Sequence, residues 1–262
     1  MFSKTDPGTA LVTGGSSGIG LEYARQLAAK GYGLLLVSNQ EEQLRDAASS
    51  LSGQYGVPVE VLYMDLAERG CAGKLLAFCD EKGLVIDILV NNAGMFFMEY
   101  LGSRNLRKAR TMISLHVETV TECCVLFGER MKERGKGRIL IMSSMTAEIP
   151  APGIAVYSAS KAYLKSFGLG LSYELAPYGV TVTTICPAAV DTGLYKLNPG
   201  IRRAGRRLGF VQSPEKLVHK ALRAMFHGRR LRRPGAFNLS VPFLVRLLPS
   251  RLIERLGMKW MN

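Results

Sequence analysis

The sequence predicts an α/β protein, one domain on a doubly wound parallel sheet of about seven strands with helices on both faces. Three observations predict it. A glycine-rich turn, Gly14-Gly15-Ser16-Ser17-Gly18-Ile19-Gly20, joins a β-prone run at residues 10–13 to a helical pattern at residues 21–30. Beyond that turn, short apolar runs alternate with amphipathic stretches as far as residue 186, the order that parallel strands and their covering helices require. The length, 262 residues with 47% hydrophobic content, is enough to bury one full core and suits a single α/β domain over residues 1–262.

The elements follow in chain order. Strand, glycine turn and helix make a phosphate cradle, because glycines admit close backbone approach and a helix N-terminus presents unpaired N–H groups to an anion. Residues 33–37 read as a second apolar strand, 40–55 as a helix and 57–64 as a third strand. A helix near 68–82 leads to a strand at 86–90, and a long helix near 105–134 leads to the apolar run 138–143. The next helix carries Tyr157, Tyr163, Leu164, Phe167, Leu171 and Leu175, and a strand at 180–186 follows it.

The chemistry concentrates at the end of the strand 138–143 and in the helix after it. Lys161 follows Tyr157 by four positions, so on a helix the two side chains share a face about one turn apart. An ammonium beside a phenol favours the phenolate and moves its pKa from about 10 towards the working range of an acid–base catalyst. Ser144 precedes the tyrosine by thirteen positions, and its hydroxyl can hydrogen-bond a substrate oxygen. Tyr-x-x-x-Lys alone is common; the added serine spacing and the upstream phosphate cradle make the combination specific.

Thr13 to Gly20, Asn91-Asn92-Ala93-Gly94, Ser144 with Tyr157 and Lys161, and Pro187 to Thr192 resemble, in order and separation, the motifs of the short-chain dehydrogenase/reductase family. The resemblance covers residues 8–192 and implies a single-domain Rossmann fold with a nicotinamide cofactor. It implies contacts to that cofactor from Gly14, Ser16, Ser17, Gly18, Ile19 and Gly20 in the turn, and from Asp65 and Leu66 beside the adenine. Asn92, Ala93 and Gly94 would lie along it, as would Tyr157 and Lys161, and Pro187, Val190 and Thr192 would clamp the carboxamide. The resemblance further implies a homodimer or homotetramer built on the long fifth and sixth helices.

Two positions depart from the family pattern. His116 stands where an asparagine normally completes the catalytic set by holding a water that connects the lysine to solvent. Histidine both accepts and donates, so either it recharges the relay with altered pH dependence or it is a packed side chain. Ala188 replaces a glycine, which confines that backbone to negative φ. Cofactor choice falls to Ser38-Asn39-Gln40 at the end of the second strand. A carboxylate there would bond the ribose hydroxyl of NAD(H) and repel the phosphate of NADP(H); its absence favours NADP(H).

Charge divides the chain. Up to Tyr195 there are 18 Lys and Arg against 19 Asp and Glu; from Lys196 onward there are 16 against 2. Arg202-Arg203, Arg206-Arg207 and Arg229-Arg230 with Arg232-Arg233 are the clusters, and residues 239–262 form a basic amphipathic extension broken at Pro249, with Phe243 and Trp260. Such a tail fits a peripheral membrane contact, an anionic substrate, or apolar faces folded on the protein beneath solvated arginines. Nucleic acid is disfavoured, since the clusters lack interleaved aromatics and any DNA-reading module. The first eight residues lack an apolar targeting stretch and no apolar run reaches the ~18 residues of a membrane span, so a cytoplasmic protein is expected. Cys71, Cys79, Cys123, Cys124 and Cys186 show neither metal-type spacing nor a disulfide framework.

Residues 193–212 lie where this family keeps a substrate lid. Leu194, Tyr195, Leu197, Ile201, Leu208 and Phe210, with Met95, Phe96, Phe97 and Met98, offer an apolar wall suited to a sterol, bile acid, retinoid or long acyl chain. The expected function is therefore NAD(P)-dependent interconversion of a hydrophobic secondary alcohol and ketone. The competing expectation is a dinucleotide-sensing or membrane-attached binding protein that kept the fold and lost turnover.

Overall fold

A computed structural model describes residues 8–149, 151–191 and 211–235, together with Val245, Pro249, Arg251 and Leu252. Residues 192–210, which hold Thr192 and nearly all of the expected lid, and most of the C-terminal extension with Phe243 and Trp260 lie outside the described residues.

Seven parallel strands form one sheet in the order β3-β2-β1-β4-β5-β6-β9. They are β1 (Thr9–Thr13), β2 (Gly33–Ser38), β3 (Val59–Tyr63), β4 (Ile86–Asn91), β5 (Gly137–Met142), β6 (Val180–Ile185) and β9 (Leu231–Arg232). A separate two-stranded pair joins β7 (Ala189–Val190) to β8 (Val211–Gln212). Burial on both faces explains the unbroken apolar runs: every residue of β2 is buried.

Alternation along each strand divides the core into two layers. Ala10, Val12, Leu34 and Leu36 point to α1 (Gly18–Ala28), α2 (Glu41–Tyr55) and α7 (Pro214–Phe226), where they meet Tyr23, Leu27, Leu44, Leu217 and Leu222. Leu11, Leu35 and Val37 point to the opposite layer, against α3 (Cys71–Glu81), α5 (Thr119–Glu133) and α6 (Ala155–Leu175). All five cysteines are buried and none is in a disulfide.

The chain runs outward from β1 through β2 to β3, then crosses back to place β4 on the other side of β1. This reversal opens a crevice at the carboxyl ends of β1 and β4, the place where doubly wound sheets bind ligands. Thr13 closes the floor: its hydroxyl donates to Val90 O at 3.2 Å and accepts from the Asn92 and Ala93 N–H groups at 2.9 and 3.0 Å.

The long helix expected over 105–134 is not continuous. A 3₁₀ turn (Ser103–Asn105) leads into α4 (Leu106–Ile113), and a π-helical turn (Ser114–Glu118) separates α4 from α5. The wider turn brings His116, which is fully buried, inward against Gly94. Neither α7 nor β9 follows from the sequence reading, which took Arg229 to Arg233 simply as a basic cluster. Tertiary contacts use part of that charge: Arg230 lies over the Tyr173 ring at 4.5 Å, and Arg233 pairs with Glu148.

Candidate active site

Helix α1 begins at Gly18 without a side-chain hydrogen bond from its N-cap, Ser17, so its first amide groups face the crevice. The turn leading to it is packed too tightly for larger residues. Gly14 has φ 66°, and a Cβ on Gly20 would lie 1.9 Å from the Gly14 carbonyl oxygen. Asn92 Nδ2 donates to Thr13 O at 3.0 Å and locks the neighbouring loop against this turn.

A cleft of ≈ 730 Å³ runs from the turn to the end of β5, a size proper to a ligand pocket. Its lining includes the turn residues Gly14, Ser16, Ser17, Gly18, Ile19 and Gly20. Ser38, Asn39, Asp65 and Leu66 line the β2 and β3 end, while Asn92, Ala93 and Gly94 line the middle. At the far end stand His116, Ser144, Tyr157, Lys161, Pro187, Ala188 and Val190. Every catalytic and cofactor residue named from the sequence thus lines this one cleft, apart from Thr192, which is outside the described residues; of the expected apolar wall after Gly94, Met95 lines it and Phe96, Phe97 and Met98 do not. The sequence reading missed Gln43, Met64, Ala67, Thr111 and Leu115, which also line it. Gln43 could have been found, one helical turn beyond Asn39; Thr111 and Leu115 could not, because the path of α4 over the cleft is a tertiary matter.

The polar end is built from β5 and α6. Lys161 is buried, and its Nζ donates to Met142 O at 3.0 Å and stands 5.7 Å from the centroid of the Tyr157 ring. Burial lowers its pKa to about 8, opposed weakly by the Cys186 thiol. Ser144 caps the 3₁₀ turn Met145–Glu148, and its Oγ accepts from the Thr146 N–H at 3.2 Å. That bond uses a lone pair and leaves the hydroxyl proton to donate elsewhere. Phe96 packs edge-on against Tyr157, with ring centroids 5.0 Å apart.

His116 has both ring nitrogens engaged. Nε2 accepts from the Met95 N–H at 3.0 Å, which leaves the imidazole proton on Nδ1, 2.9 Å from Ser160 Oγ. Ser160 in turn donates to Tyr157 O at 2.8 Å. Burial first, and then the charge of Lys161, hold the imidazole pKa well below its usual value.

Ala188 is accommodated without strain, since no described residue other than glycine has positive φ. The cleft fits a dinucleotide: close-packed glycines, uncapped helix amides and neutral polar side chains at Ser16, Ser38 and Asn39 leave its floor open to an anionic, hydroxyl-rich ligand. Among the described residues no group of three or more His, Cys, Asp or Glu could hold a metal ion, and no helix is long and apolar enough to cross a membrane.

Comparison with known proteins agrees with this architecture. The chain is 34% identical over 197 residues to very-long-chain 3-oxoacyl-CoA reductase-A of Danio rerio, covering 72% of this chain and 60% of that protein. It is 30% identical over 240 residues to the Homo sapiens inactive hydroxysteroid dehydrogenase-like protein 1, covering 90% of this chain and 70% of that one. Among solved structures, a short-chain dehydrogenase from Sphingobium yanoikuyae in complex with NADPH superposes with a TM-score of 0.76 at 31% identity, covering 87% of each chain. A 7beta-hydroxysteroid dehydrogenase shares the fold with a TM-score of 0.82 at 21% identity over 92% of each chain. Residues 8–199 match the short chain dehydrogenase family. This chain therefore belongs to the short-chain dehydrogenases, an oxidoreductase family whose fold binds NAD(H) or NADP(H).

Proposed function

We propose that the protein interconverts a hydrophobic secondary alcohol and its ketone with NADP(H), using Tyr157 as the general acid and base. The observation that carries this reading is the convergence of three groups in the cleft: Tyr157, the buried Lys161 ammonium 5.7 Å from its ring, and Ser144. A bound nicotinamide would supply or accept the hydride at the carbonyl carbon. In the reducing direction Tyr157 Oη gives its proton to the carbonyl oxygen, while the free Ser144 hydroxyl proton bonds that oxygen and stabilises the developing charge. Lys161, with its pKa lowered to about 8, holds a proton that it can pass on near neutral pH. His116 acts here as a brace and not as a carrier, because each nitrogen already has a partner.

The glycine turn, Ser16, Ser38, Asn39, Asp65, Leu66, Asn92, Ala93, Gly94, Pro187 and Val190 would hold the dinucleotide, with Thr192. Absence of a carboxylate at Ser38-Asn39-Gln40 supports NADP(H), as does the NADPH complex of the Sphingobium relative. Met95 and Phe96 beside the reacting end support an apolar substrate; the reductase relatives suggest a 3-oxoacyl thioester as its class and the hydroxysteroid dehydrogenase-like relative a sterol. Exposed Val125 on α5 and Tyr163 on α6 support assembly through those helices, and the basic excess after Lys196 supports a peripheral membrane contact. Tyr157→Phe should lower kcat by about 10³-fold or more while leaving the cofactor dissociation constant within a few-fold. Activity within tenfold of wild type would refute the assignment.

A second reading, a dinucleotide-binding protein without turnover, is favoured by the engaged His116 and by the relative named inactive. Cofactor oxidation measured across 3-oxoacyl thioesters, sterols and bile acids separates the two: binding of NADPH with no oxidation by any ketone would select the second.

A further inference from the structure

We propose that Glu148 is a positioning residue for this chemistry, clamping the turn that orients Ser144 between the catalytic helix and the root of the C-terminal segment. The inference rests on the role of Ser144 given above. Glu148 ends the 3₁₀ turn that starts immediately after Ser144. Its Oε1 accepts from Lys165 Nζ at 2.6 Å, and from Arg233 Nε and Nη2 at 3.0 and 2.7 Å. Lys165 stands one helical turn beyond Lys161 on α6. Arg233 directly follows β9, the last strand of the sheet, and Gln212 Nε2 donates to Pro234 O, so the end of β8 is tied to the same place. One carboxylate thereby joins pieces of chain separated by 17 and by 85 residues.

The clamp is sheltered: the Glu148, Lys165 and Arg233 side chains are 13%, 22% and 28% exposed. Charge-assisted bonds in such a setting hold geometry far better than exposed ion pairs, which contribute little. What they hold is the turn whose Thr146 N–H fixes Ser144 Oγ and whose Met145 N–H donates to Pro187 O at 2.8 Å. Without the carboxylate, two sheltered cations face each other across the turn and push it from α6. The Ser144 hydroxyl then loses its aim at the substrate oxygen. The effect is mechanical, because Lys161 owes its lowered pKa to burial and its opposing contribution to Cys186, with none from Glu148.

The test is Glu148→Gln in the full chain, assayed with NADPH and a hydrophobic ketone, alone and combined with Ser144→Ala. The expected result is a loss in kcat of about 10- to 100-fold, the cost of a misplacement on the ångström scale. The NADPH dissociation constant should stay within threefold, and the pH–rate midpoint should not move, as expected of a group that acts through geometry. In the Ser144→Ala background the second substitution should cost no more than about twofold, since the route proposed for it runs through the Ser144 hydroxyl. Should Glu148→Gln fail to fold, Arg233→Gln removes two of the three donors and takes its place in the same cycle. Full multiplication of the two losses, or near-wild-type kcat in the Glu148 variant, overturns the clamp and leaves the role of Ser144 standing. No loss from Ser144→Ala alone overturns both.

Discussion

His116 has both imidazole nitrogens in hydrogen bonds, the arrangement on which we propose that it braces the site. Its Nε2 takes the Met95 N–H and its Nδ1 proton goes to Ser160, so the imidazole is held neutral between the loop after β4 and the helix that carries Tyr157. The folded pKa lies well below the ordinary value. As pH falls below about 6.5 the unfolded chain therefore takes up this proton before the folded one does. The contribution of His116 to stability is present above that pH and is lost as pH falls towards the folded pKa. In urea titrations at pH 7.5 and 5.5, wild type should lose more stability than His116→Gln, which has no such proton to gain. Equal losses would show that the imidazole is not held neutral. Lys161 makes a related point on the kinetic side: with a pKa of about 8, its proton is available near neutrality and departs above it, so reduction should slow as pH rises through that value.

At the level of the element, the end of strand β2 and its continuation form one rim of the cleft, on which the proposed preference for NADP(H) rests. Ser38 Oγ lies 2.8 Å from Ser16 Oγ and accepts from the Gln40 N–H at 3.2 Å, which pins the end of the strand to the glycine turn. Asn39 and Gln43 complete a rim without formal charge. A carboxylate placed on that rim would repel a 2′-phosphate and accept from a 2′-hydroxyl. Asn39→Asp should then move the ratio of kcat/KM for NADPH over NADH downward by about 10- to 100-fold, roughly 1.4 to 2.7 kcal/mol of discrimination. Steady-state assays with both cofactors measure it directly. The same stretch was readable in advance because a carboxylate, an arginine or neither must stand at one place relative to the strand. The interruption of the α4–α5 helix was not readable: nothing in the sequence from Ser114 to Glu118 breaks a helix, and the π turn arises from the demand that His116 face Gly94 and Ser160.

For the molecule as a whole, charge is distributed as sharply as structure. Residues up to Tyr195 are nearly balanced, while those from Lys196 onward carry 16 basic against 2 acidic side chains. Of that excess, Arg233 pairs with the sheltered Glu148, while Arg230 lies over the exposed Tyr173 ring. The remainder is expected to draw the protein to anionic surfaces in a salt-dependent manner. Flotation on vesicles of phosphatidylcholine with phosphatidylserine should recover the full chain at low salt and lose it at about 0.5 M salt, where the screening length is only a few ångströms. A chain lacking residues 240–262 should float less. Equal recovery with neutral vesicles would remove electrostatics as the cause.

The doubly wound arrangement, the glycine turn and the placing of Tyr157 and Lys161 on one helical face were legible in the sequence, because each follows from local spacing: period two in strands, four residues per helical face, no Cβ where backbones touch. The sequence likewise located the β2 rim and the uneven charge. Tertiary structure alone decided that both nitrogens of His116 would be consumed, that Thr111 and Leu115 would reach the cleft, and that Glu148 would meet Arg233 from 85 residues away. Those facts depend on which surfaces meet after the sheet closes. Contacts between distant segments leave no periodic trace in the chain, since the geometry that makes them belongs to the packed layers and not to any one stretch of sequence.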